Sequence, residues 1–339
     1  MKKRGLILGS LAATATVFLA GCSSGNVAEP GPEMGNAVAL PSPAAPDPAG
    51  RVIELPAERS QITDMERAGD TIALRSESAL TVGTLDQIES GDAEVLDVAA
   101  ACGDLTATGD TFVLPCDTTV YLIDAAAPSL AESVTTEEPA TAAALTSTGE
   151  LIVGSDTAEN ISVYRGNEDP ANFDVEGATT QMVSVPVTDQ PDAVVRIWNP
   201  ETIIQDVDWT NDRQGATLRV GIGVGQMAPG PDGLVLVSDT AGSQLAVYTA
   251  DDVIRLHQTY PVDQSPWAVA WDNANELAWT ASTAENTLTG YDISQGEPVE
   301  QAKLDSVADA KNILVLDDGT LLAASESGDG LQVIDEPLA

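Results

Sequence analysis

One block of sequence is written three times at a fixed interval, and that interval limits what the chain can fold into. Ser238-Asp239-Thr240-Ala241-Gly242-Ser243-Gln244-Leu245-Ala246-Val247-Tyr248 aligns without a gap on Ala281-Ser282-Thr283-Ala284-Glu285-Asn286-Thr287-Leu288-Thr289-Gly290-Tyr291, and after a second step of 43 residues on the stretch from Ala324 to Ile334. Upstream, Leu151 to Ala158 followed by Ile161-Ser162-Val163-Tyr164 repeats the same pattern. The marker at the end of each block falls at Val82, Tyr121, Tyr164, Tyr248, Tyr291 and Ile334, in steps of 39, 43, 84, 43 and 43. The long step is twice 42, so a degenerate copy is expected between, from Ala193-Val194-Val195-Arg196-Ile197-Trp198 through Ile203 to Val207. Seven copies then fill residues 51–339.

Within each copy, short β-rich runs alternate with turn residues, and no stretch has convincing helical periodicity. A period of ~40–45 residues with about four short strands per unit predicts an all-β chain folded as a seven-bladed β-propeller. The fuller copies supply the strands in order: Ala268 to Trp271, Leu277 to Ala281, Thr287 to Tyr291, with Thr259 to Val262 and Glu300 to Leu304 as outer strands. Apolar runs such as Leu234 to Val237 and Ile313 to Leu316 are expected as inner strands, covered on both faces. Val52 to Leu55 is expected to close the ring as the outer strand of the last blade, which also covers an edge. Leu236-Val237-Ser238-Asp239 and Trp279-Thr280-Ala281-Ser282, each followed by a Leu-x-Val/Gly-Tyr run, resemble the YVTN class of propeller repeats. The Trp-Asp and Gly-His marks of WD40 repeats are missing.

The N-terminus carries an address. Lys2-Lys3-Arg4 precedes an apolar run from Gly5 to Ala20, the pattern of an export signal. Its end, Leu19-Ala20-Gly21-Cys22, resembles the bacterial lipobox, which implies cleavage between Gly21 and Cys22 and acylation of Cys22. Two or more acyl chains hold a protein on a membrane stably where one does not. Residues 1–21 are thus the signal peptide and residues 22–50 a lipidated tether. Its Pro30, Pro32, Pro41, Pro43, Pro46 and Pro48, among Ser, Gly and Ala, offer no core, so disorder through Gly50 is expected. Residues 51–339 form the propeller.

Removing residues 1–21 takes away three basic and no acidic residues and leaves a net charge of −42, from 11 basic and 53 acidic residues. Such a surface repels nucleic acid phosphates and anionic lipid headgroups, which argues against both as partners. Calcium is the cation such a surface would suit, but no Asp-x-Asp-x-Asp-Gly loop occurs. Beyond Cys22, Cys102 and Cys116 form an even pair in an exported chain, separated by turn signals at Gly103, Gly109 and Asp110, and a disulfide between them is expected.

Gly215-Ala216-Thr217, Gly223 to Ala228, Leu236 to Thr240, Gln258 to Val262 and Gly328 to Ile334 resemble the LppL-type prolipoproteins of actinobacteria, best over the last 125 or so residues and the lipobox. The resemblance implies a propeller held on the outer face of the plasma membrane and carries no activity.

Catalytic sets are thin. The one histidine, His257, lies in a segment that alternates like a surface strand, which leaves no Ser-His-Asp triad or multi-histidine metal site. Gly221 to Gly225 has no helix after it and reads as a turn into a blade. Acid pairs such as Asp251-Asp252 and Asp317-Asp318 sit beside turns. Aromatics, only 4% of the chain, gather in two copies: Trp267, Trp271 and Trp279 in one, Trp198 and Trp209 in the other. Trp271 and Trp279 read as packing between blades. Trp267, at the entrance of an inner strand, is a candidate for stacking on a ligand at the channel mouth, with Gln226, Lys311, Asn312 and Trp198 as further candidates. A monomeric binding or scaffold module for an envelope protein or glycan is expected. An enzyme of lactonase or quinoprotein type would place converging carboxylates or a metal in the channel, and a structural spacer would show no defined pocket.

Overall fold

The computed structural model describes residues 34–339, so the export signal, Gly21 and Cys22 lie outside the described residues. Twenty-seven strands form seven antiparallel sheets, six of four strands and one of three, in the chain order of a seven-bladed propeller. Blade 5 runs Val224–Pro229, Leu234–Asp239, Gln244–Thr249, Arg255–Pro261, and blade 6 runs Pro266–Asp272, Leu277–Ser282, Thr287–Asp292, Val299–Asp305, each from the centre outward. The remaining inner strands are Asp64–Ala68, Thr106–Thr108, Ala142–Leu145, Gln181–Val185 and Ala310–Val315. Ile313 to Val315 is therefore innermost as expected, whereas Leu234 to Val237 opens a second strand. That position is also covered on both faces, which explains the same apolar run.

Ring closure uses the other end of the chain. Arg51–Ile53 pairs antiparallel with Leu331 to Val333 as the outer strand of blade 7, so the first and last folded segments share one sheet. The core lies between blades rather than in one centre. Trp279 and Leu288 of blade 6 pack on Ile313, Leu321 and Ile334 of blade 7, and Ile72 and Leu74 of blade 1 pack on Leu322 and Val333 of blade 7.

The letters that define the repeat tie one blade to the next. The Ser238 hydroxyl donates to the carbonyl of Trp267 (2.6 Å), and that of Thr240 to the carbonyl of Pro266 (2.5 Å), both on the next inner strand. Asp239 accepts from the backbone N–H groups of Ile222, Gly223 and Gly242 (3.0–3.1 Å). Gly221, at φ +48°, passes so close to this carboxylate that a Cβ would stand 1.7 Å from its oxygen. The glycine-rich stretch is a turn into blade 5, shaped by Asp239.

Two regions differ from the sequence expectation. Blade 2 has three strands, because Thr111–Asp124 runs on as one long strand where the other copies turn back, and Tyr121 lies in that strand. Pro115-Cys116-Asp117 supplies no hairpin turn; Asp117 takes a left-handed φ of 55° and the register shifts there instead. The second difference is the tether. From Gly35 to Ala49 it is laid over blades 5–7 as a strap: Gly35 N–H donates to Ile222, Leu40 N–H to Ser265 Oγ, the Ser42 hydroxyl to Thr283, and Asn286 to the carbonyl of Pro43. The buried amide of Gln332 donates to the carbonyls of both Ala49 and Asp305. Small residues and backbone polar groups make these contacts, so no hydrophobic pattern announces them.

Candidate functional site

The inner strands enclose a central cavity of about 390 Å3. Asp64, Glu66 and Asp104 line it from blades 1 and 2, and Gln181, Gln226 and Asn312 from blades 4, 5 and 7. A second cavity of about 490 Å3 opens at the end where the inner strands begin, over blades 1–4, and shares only Asp64 and Asp104 with the first. These two carboxylates therefore stand at the junction of the two cavities.

Each carboxylate is set by local structure. Asp64 opens the first inner strand and accepts N–H bonds from Met65 (2.9 Å) and from Leu105 of blade 2 (2.8 Å). Asp104 lies within the loop closed by the Cys102–Cys116 disulfide, whose Cα atoms are 4.1 Å apart, so the expected pairing is present. The disulfide brackets the hairpin of Thr106–Thr108 with the first part of Thr111–Asp124. Gly103 donates to Pro115 (2.7 Å), Asp104 N–H donates to Thr141 (2.8 Å), and a Cβ on Gly103 would stand 1.9 Å from the Thr141 carbonyl. The buried guanidinium of Arg75 donates to the carbonyls of Ala100, Cys102 and Gly103, holding the same loop from blade 1.

Arg75 thus spends its hydrogen bonds on backbone carbonyls and acts on Asp64 and Asp104 only through space. The consequence is electrostatic. Desolvation raises the Asp64 pKa to about 6, against the lowering influence of the Leu105 and Met65 N–H groups and of Arg75. Desolvation and then repulsion from Asp64 hold Asp104 well above the usual carboxylate range. Glu66 is raised by desolvation and by both aspartates. All three are half-buried: one side of each faces the lumen and protein surrounds the rest, which is the source of the desolvation. The channel can accept hydrogen bonds from a cationic or hydroxyl-rich group and can hold protons near neutral pH.

The sequence candidates divide. Gln226 and Asn312 line the cavity and bond to each other, Nε2 to Oδ1 at 3.0 Å. Trp267 is half-buried outside the cavity lining, with Lys311 Nζ 4.9 Å from its ring centroid, and Lys311 is paired with Glu326. Trp198 ends the second strand of blade 4, one strand out from the channel, with its ring against Gly177. His257 is exposed on an outer strand beside Thr249 Oγ1 (2.8 Å). Asp64, Glu66 and Asp104 were missed, although Asp64-Met65-Glu66 alternates charged and apolar residues as a lumen-facing strand would. Among the described residues, no group of three or more His, Cys, Asp or Glu side chains could hold a metal ion.

No family model matches the sequence, and no curated protein sequence matches it. Solved structures do match by shape. A chain of the mitotic checkpoint complex superposes with a TM-score of 0.65 at 12% identity over 98% of each chain. Hydrazine synthase of Kuenenia stuttgartiensis gives 0.63 at 10% identity over 83% of this chain and 97% of that one. The WD40 propeller domain of Doa1 gives 0.61 at 11% identity over 85% of this chain and 97% of that one. At such identities the likeness is one of fold: this chain is a seven-bladed β-propeller with WD40 propellers among its structural neighbours.

Proposed function

We propose that this propeller is a lipid-anchored binding module on the extracytoplasmic face of an actinobacterial cell membrane, taking a cationic or hydroxyl-rich segment of an envelope protein or glycan into its channel. The observation that carries the reading is the channel itself: three carboxylates with raised proton affinity and three amides line a cavity large enough for a side chain or a sugar ring. A carboxyl that faces the lumen without an ion-pair partner is open to a ligand: ionised it accepts hydrogen bonds from a cation, and protonated it donates one to a hydroxyl oxygen. The Cys102–Cys116 disulfide agrees with an exported protein. The lipobox at Cys22 and the LppL-like segments support the address, and the acidic surface speaks against nucleic acid.

Cross-linked envelopes tested with tagged wild type and with the Asp64→Asn/Asp104→Asn double variant separate the outcomes. The reading expects a protein or glycan enriched by the wild type and lost at least tenfold by the variant. Equal recovery by both would sink it.

A lactonase-type or quinoprotein-type enzyme is the second reading, favoured by the convergence of Asp64, Glu66 and Asp104. A carboxyl protonated near neutrality suits general acid catalysis. Among the described residues no group of three ligands offers a metal a seat in the channel. A structural spacer fits least, because the cavity is defined and polar.

A further inference from the structure

We infer that the outer edge of the N-terminal strap is a membrane-contacting surface, occupied by the bilayer that holds the acyl chains of Cys22; this rests on the lipid anchor proposed above. Exposure alternates along the strap. Gly35, Ala37 and Ala39 face the propeller, and Met34, Val38 and Leu40 face outward, 54%, 83% and 42% exposed. These are three of the eight large apolar side chains exposed among the described residues, gathered within seven positions. Met34 lies in a bend that runs to Asn36, and beyond it Val38 and Leu40, two positions apart in a stretch without turns, share one side.

Two further observations choose the occupant. Only the stretch from Ser23 to Glu33 separates Cys22 from Met34, which spans at most roughly 40 Å even fully extended. The strap's outward row is therefore the first described surface within reach of an anchored bilayer. The second observation is charge. Eight of the basic residues among those described pair with a carboxylate, and Arg75 and Arg196 are buried. Arg219 is the exposed cation without a carboxylate partner among the described residues, and its guanidinium lies 3.3 Å from Met34 Sδ. A cation beside an apolar row is the combination that phosphate headgroups over acyl chains receive. Elsewhere the surface is acidic and repelled by anionic lipid. Contact of this kind would turn the strapped face toward the membrane.

Depth-dependent quenching of the full lipoprotein tests the inference. With Cys22 acylated and Cys102 bonded to Cys116, Val38→Cys supplies the one free thiol for a fluorophore, and Leu256→Cys on an exposed outer strand serves as the control. In phosphatidylethanolamine–phosphatidylglycerol vesicles carrying doxyl-labelled lipid, the Val38 label should be quenched severalfold more than the Leu256 label. Arg219→Glu should reduce that difference. Equal quenching at both sites, or disulfide-linked dimers of the unlabelled Val38→Cys protein on the vesicles, overturns the inference while the anchor stands. Wild type that fractionates away from membranes overturns both.

Discussion

Blades 5–7 and blades 1–2 are built on one plan and used differently. In blades 5–7 the repeated letters are structural: Ser238 and Thr240 bond the next inner strand, Ser282 donates to the carbonyl of Gln264, and Trp279 fills the gap between blades. In blade 1 the matching Ser76 bonds within its own turn, to the carbonyl of Ala79, and acids at the start of the inner strands of blades 1–2 turn to the lumen. Arg75 grips the loop that the disulfide closes, and Asp64, Glu66 and Asp104 face the cavity. Regular blades fix the number and closure of the ring, which leaves the irregular ones free to depart from the repeat and carry the chemistry.

The sharpest way to break this comparison is to damage each half in turn. Trp279→Ala should cost about 3–5 kcal/mol of stability in chemical denaturation, since the ring is fully buried between blades and its N–H donates to Asp272. Channel ligand binding should change little at temperatures where the variant stays folded. Removing the disulfide by Cys102→Ala/Cys116→Ala closes a separation of 14 residues no longer, and should cost about 3 kcal/mol. Here the binding defect should exceed that of Trp279→Ala, because the loop that presents Asp104 is released.

A pH series sharpens the contrast further. The folded-state pKa of Asp64 is raised from 3.8 to about 6, so its protonated form is favoured by folding. That contribution is complete below the unfolded value and is lost as pH rises through the folded one. Between pH 4 and pH 6, wild type should lose roughly 1–3 kcal/mol relative to Asp64→Asn, read from denaturation midpoints. The smallest effect belongs to the rim: Arg255→Ala breaks an exposed pair with Asp251 (3.3 Å) and should change stability by about 0–1 kcal/mol and binding not at all.

Legibility in the sequence followed the same divide. The 43-residue spacing, the marker positions and the closing strand at Arg51–Ile53 could be read because they serve packing, and packing leaves periodic apolar residues. Gln226 and Asn312 were legible by position, as inner-strand residues of regular blades. Asp64, Glu66 and Asp104 were not, since they are three acids among 53 in copies whose repeat has eroded. The lost hairpin of blade 2 hid behind a Tyr121 marker that still fell in step. The strap was unreadable for another reason: Gln332 and Ser265 hold it through carbonyls and N–H groups that every residue has.

Photo-crosslinking in living cells decides most directly whether the channel is where this protein meets its partner. A photoreactive residue replaces Gln226 in the channel wall or, in a separate protein, His257 on an outer strand. The expected result is one discrete envelope adduct from Gln226 and none from His257. Adducts from His257 alone, or from neither position, would contradict a channel that binds.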